Sequence, residues 1–106
     1  MNTETPRYKQ GFPDFDLDIS IPEGFEDVSW VNDVCPSFQH KELDLLLFVD
    51  YADPSKREHE DTLRFSLITT EDGMLTDARD DLAYTDDFAE VLAKLEERKA
   101  ALKPPL

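Results

Sequence analysis

A chain of 106 residues with 25 acidic against 11 basic side chains has a formal charge of −14, and a field of that sign repels phosphate, which excludes direct binding of nucleic acid. Its hydrophobic content of 40%, with seven Phe, three Tyr and one Trp, suffices for one core and excludes wholesale disorder. The single cysteine, Cys35, excludes an intramolecular disulfide, while the lack of an apolar signal segment or a membrane-length apolar run makes a cytoplasmic protein without a membrane partner the expectation.

Residues 1–13 show no periodicity and contain Pro6, Gly11 and Pro13, which predicts a mobile leader. Phe15, Leu17, Ile19 and Ile21 then alternate with Asp14, Asp16, Asp18 and Ser20. That period of two predicts a strand with one buried and one wet face, ended by Pro22. Residues 25–40 offer apolar anchors without a clean period and predict a short irregular element or a second strand. Residues 43–51 are almost continuously apolar and predict a central strand covered on both faces.

A charged connection follows from Asp53-Pro54-Ser55 to Asp61. Residues 62–70 alternate again and read as a further strand, and Asp72-Gly73 is the favoured pair for a two-residue hairpin turn. Residues 74–84 are expected to pair back. At the C-terminus, Phe88, Val91, Leu92, Leu95 and Leu102 fall on one helical stripe over residues 86–102. Thr85 and Asp87, with Glu90 three residues on, supply capping chemistry, and Pro104-Pro105 stops the helix. The expected fold is α+β: one acidic domain over residues 14–106, with a three- to four-stranded, mainly antiparallel sheet and one C-terminal helix on one face.

The acid is unevenly placed. Residues 14–88 hold 21 of the 25 acids and five bases, a net of −16, so the charge belongs to the predicted sheet and its loops rather than to a tail.

Sites that carry chemistry are harder to find. Asp14-x-Asp16-x-Asp18 opens like a calcium loop, but the register places Ile19 where a turn glycine belongs and Phe25 where a bidentate glutamate belongs. A row of solvated carboxylates is the better reading. Cys35, His40 and His59 are too few for a zinc site, and Pro36 gives Cys35 no activating geometry. The three glycines are scattered, so no phosphate-binding loop can be written. The chain is therefore read as a non-enzyme without a cofactor or metal.

The pattern Ser29-Trp30-x-Asn32-Asp33-x-Cys35-Pro36-Ser37-Phe38, followed by Phe48-Val49-Asp50-Tyr51-x-Asp53-Pro54, resembles small uncharacterised acidic bacterial proteins. The resemblance covers residues 28–66 and implies no activity. Within it, Trp30 and Phe38 are expected to plug the core, with Asn32 and Asp33 bonding a tight turn.

Two functional readings remain. One is an acidic protein-interaction module that binds a basic, nucleic-acid-binding protein surface, as phage-type inhibitors that mimic nucleic acid do. Its candidate contacts are Asp14, Asp16, Asp18, Asp53, Glu58, Glu60, Asp61, Asp77, Asp80 and Asp81. The other is a small accessory or ligand-binding domain, acidic only for solubility, with a site around Trp30, Asn32, Asp33 and Tyr51.

Overall fold

The computed structural model describes residues 7–30, 35–71, 74 and 80–102. The elements run α1 (Arg7–Gly11), β1 (Glu26–Asp27), β2 (Ser37–His40), β3 (Leu45–Val49), a 3-10 turn (Pro54–Lys56), β4 (Phe65–Thr69), β5 (Asp81–Thr85) and α2 (Phe88–Leu102). The five strands form one sheet in chain order, each antiparallel to the next. The class is the expected α+β, but with five strands rather than three or four. The additional strand arises because the unpatterned stretch 25–40 supplies both β1 and β2, each too short to show alternation.

Pairing assigns side chains to faces, since directly opposed residues point the same way. Leu47 faces Phe38 on one side and Leu67 on the other, and Val49 faces Phe65, which in turn faces Thr85. These residues are all buried and belong to one core with Leu45, Ala83, Val91 and Leu95. Helix α2 lies on this face, with the Phe88 ring 5.1 Å from Phe65 and Arg98 Nε donating to the Leu43 carbonyl at 3.1 Å.

The opposite face carries Leu46, Phe48, Ser66 and Tyr84. Leu46 and Phe48 are half-buried and Tyr84 is 54% exposed. Strand β3 is therefore central, as its apolar run predicts, but well buried on one face only.

Helix α2 begins where capping chemistry places it. The Asp87 carboxylate accepts from Ala89 N at 3.0 Å, and Thr85 Oγ1 accepts from Asp87 N at 2.9 Å. Val91 and Leu95 are buried, but Leu92 is 42% exposed. The helical stripe is narrower than predicted: among the described residues α2 packs mainly on β4 and β5 of the sheet, and its Leu92 flank stays exposed.

The N-terminal segment differs from the expected strand and adds a short helix within the residues read as a leader, Arg7–Gly11. Those residues form α1, Tyr8 N donates to Asp27 Oδ2 at 2.8 Å, and Phe12 is buried in the core. Residues 14–21 belong to no helix or ladder, and their burial alternates along the chain. Phe15 is fully buried, and Leu17, Ile19 and Ile21 pack partly against the core, while Asp14, Asp16, Asp18 and Ser20 are exposed. The alternation is real. It reports a segment laid across the core face, held by side chains instead of backbone pairing.

Glu71 and Met74 exchange both backbone hydrogen bonds at 2.9 Å, and the Asp72-Gly73 pair between them lies outside the described residues. Residues 81–85 do pair back on β4, as the separate strand β5, with a register shift between Leu67 and Ile68.

Candidate functional site

The acid residues are placed by two pieces of chain that meet at one end of the sheet. The first is the segment over residues 14–21. Phe15 sits with its ring 5.9 Å from Tyr8 and 4.9 Å from Tyr51, and this anchor turns Asp14, Asp16 and Asp18 outward. Tyr51 Oη donates to Asp14 Oδ1 at 3.2 Å. Arg64 donates to both Asp18 oxygens, through Nη2 to Oδ1 and through Nη1 to Oδ2 at 3.4 Å. Those bonds hold the Asp18 carboxyl below its ordinary pKa. Burial, with the Asp14 carboxylate second, pushes the Tyr51 hydroxyl up to about 12.

The second piece is the connection from Asp50 to Arg64. Asp53 caps the 3-10 turn, its Oδ1 accepting from Ser55 N at 3.0 Å and Ser55 Oγ at 2.8 Å, and these bonds lower its pKa. Arg57 lies beneath the loop with its side chain only 6% exposed. It donates to the carbonyls of Tyr51, Ala52 and Thr62 and stands 3.7 Å from Asp86 Oδ1. Arg64, its side chain 10% exposed, donates through Nε to the Asp50 carbonyl at 3.1 Å and lies 4.9 Å from the centre of the Phe65 ring. The buried Asp50 carboxylate accepts from Tyr51 N at 2.8 Å, and burial raises its pKa.

Arg57 therefore satisfies carbonyls that the irregular loop leaves without ladder partners, while Arg64 divides its donors between the Asp50 carbonyl and the exposed Asp18 carboxylate. Asp53, Glu58, Glu60, Asp61 and Asp86 remain exposed above them. Glu60, Asp61 and Asp86 rim a shallow hollow of about 390 Å³ over Arg57 and Arg64. The structure thus brings Asp14, Asp16, Asp18, Asp53, Glu58, Glu60 and Asp61 to one end of the sheet, with Lys56 as the exposed cation of the loop.

Asp80 and Asp81 lie elsewhere. Asp80 is bonded to Thr69, which pairs with Leu45 at the opposite end of β4 from Phe65. Four strand rises separate the two ends, about 13 Å. At this far end a hollow of about 490 Å³ mixes Lys41 and Lys99 with Glu23, Glu26 and Glu42, so its acids have cations beside them. Asp77 lies outside the described residues.

Of the alternative site, Trp30 and Tyr51 are among the described residues. Trp30 is 59% exposed rather than a core plug, and Phe38 alone takes the buried position. The neighbouring Ser29 is buried, bonded to Asp27 and Ser37, and this fixes the chain just before the tryptophan. Tyr51 is committed to Phe15 and Asp14, and among the described residues no ring contact or hydrogen bond joins it to Trp30. Asn32 and Asp33 lie outside the described residues. Cys35 is buried.

Sequence reasoning missed the parts played by Arg57, Arg64 and Tyr84. The two arginines stand within and just beyond a loop of otherwise acidic character, which was the available signal. Tyr84 gave none. Its hydroxyl accepts from Leu63 N at 2.9 Å, a contact 21 residues away in the chain.

Among the described residues no group of three His, Cys, Asp or Glu side chains is placed to hold a metal ion, and no helix is long and apolar enough to cross a membrane. Comparison with protein-family models, with curated proteins and with solved structures finds no match.

Proposed function

We propose that this domain is an acidic interaction module whose loop end docks on a basic protein surface of the kind that otherwise holds nucleic acid. The observation that supports the reading most is the inward turn of Arg57 and Arg64. With Arg57 engaged by backbone carbonyls and Arg64 by the Asp50 carbonyl and the Asp18 carboxylate, the other exposed charged groups described at the loop end are Asp14, Asp16, Asp53, Glu58, Glu60 and Asp61 with Lys56. The carboxylate row also suits a groove shaped for phosphates, because in the folded state the Phe15–Tyr51 ring contact positions the segment that bears it.

A partner held this way associates quickly, and its binding weakens as salt screens the field over about 8 Å at physiological ionic strength. The test begins with capture of partners from a bacterial lysate at low and high salt. A basic protein released by salt and displaced by added nucleic acid is the expected result. Replacing Asp14, Asp16 and Asp18 together with Asn should slow association with that partner; because Asp14 and Asp18 also bond Tyr51 and Arg64, the fold of the variant is checked by circular dichroism, and Asp16→Asn alone should slow association with the fold intact.

The exposed Trp30 favours a second reading, an accessory domain that binds through this indole. A partner retained at high salt and lost on Trp30→Ala would decide for it.

A further inference from the structure

Strand β5 is an edge of the sheet, and it joins the two acidic regions that the fold separates. Asp80 and Asp81 stand at its start and Asp86 and Asp87 just past its end, all four exposed. One side of β5 pairs with β4. Its other side presents backbone N–H and C=O groups that meet no backbone partner among the described residues. The opposite edge, β1, is only two residues long, so β5 is the longer template.

Tyr84 adds a third feature. Its ring is 54% exposed yet fixed, because the hydroxyl is bonded to Leu63 N. An exposed aromatic face held in place next to carboxylates suits a cationic side chain laid over it.

We propose that β5 is the docking edge for an extended, lysine- or arginine-rich segment of the partner, which joins the sheet as a sixth strand. This rests on the acidic-module reading above and names how the partner is held. Backbone pairing supplies geometry, alternate basic side chains meet the acid pairs at either end, and one of them covers Tyr84. The same acids repel a second copy of a chain that carries −14, so the edge rejects its own kind and admits a basic strand.

The probes are a Lys-Val-Lys-Val-Lys-Val peptide and the same peptide with every backbone amide N-methylated, which keeps the charge and loses the donors. Each is titrated into isotopically labelled full-length protein at low salt and followed by amide NMR. The unmethylated peptide should shift the amides of Leu82, Ala83 and Tyr84 and slow their solvent exchange. Methylation should weaken binding about tenfold or more, and so should the Asp80→Asn, Asp81→Asn double variant, whose fold is checked by circular dichroism. Equal binding of the two peptides overturns strand addition, as do shifts confined to residues 14–18 and 53–61, and either outcome leaves the acidic-module reading standing. Absence of salt-sensitive binding by both peptides overturns both.

Discussion

Tyr51 holds its ring on Phe15 and its hydroxyl on Asp14, and its pKa rises from 10.0 to about 12. A group whose folded value is raised stabilises fully below its unfolded value and loses that contribution as pH climbs through the folded one. Stability should therefore fall between about pH 10 and 12, and Tyr51→Phe should flatten that fall in melts across the range. Asp18 has the opposite sign. Its pKa is lowered by Arg64, so its contribution is present above the ordinary value of 3.8 and is lost as pH drops through the folded value. Asp18→Asn should shallow the acid limb of the stability curve, measured by the same melts. At Gly24, φ is +96° and an added Cβ would lie 2.3 Å from His40 Nε2. Since the imidazole is fixed by Leu43 N at Nδ1 and by the Phe25 ring, Gly24→Ala should cost about 1–3 kcal/mol in a urea melt.

On α2 the contrast between neighbours is sharp enough to test. Leu95→Ala removes a core contact and should cost about 2–5 kcal/mol. Leu92→Ala removes a side chain that is 42% exposed and should cost less than about 1 kcal/mol. The same contrast shows what was legible in the sequence. Helical period and capping residues located α2, because both are local properties of the chain. The width of its buried stripe was not local, since it depends on what the helix rests against. Likewise, alternation over residues 14–21 disclosed which side chains are buried, but period two reports only extended backbone with one dry side. Whether a ladder forms depends on which segments claim the sheet edges, and β1 and β5 hold them. Trp30 misled through its type: a large apolar ring is usually inside, and nothing in residues 28–38 signals that this one is 59% exposed. The acid row was readable as exposed, but its union with the loop at 53–61 rests on Arg64–Asp18 and Tyr51–Asp14, contacts across 46 and 37 residues.

At the scale of the whole molecule, a charge of −14 opposes compaction through self-repulsion, which salt screens. Raising the salt concentration should therefore raise the melting temperature of the isolated protein, while the same change should release a basic partner of the proposed kind. Those opposite responses are what an exposed acid surface that serves binding would give. The order of the sheet has a different consequence, for the sequence in which the protein assembles. Each strand pairs with its chain neighbour, so the sheet and α2 close through local connections, whose entropic penalty grows only slowly with length. The segment from Tyr8 to Ile21 is the exception. Its contacts are with Asp27, Phe38, Tyr51 and Arg64, and among the described residues no ladder bonds secure it. Amide exchange should therefore divide into two tiers, with β3 and β4 protected to the global limit and the amides of Phe12 and Phe15 released by an earlier, partial opening. On that expectation the acid row is borne by the first part of the fold to open, and a basic partner of the proposed kind that captured it would also clasp the native state.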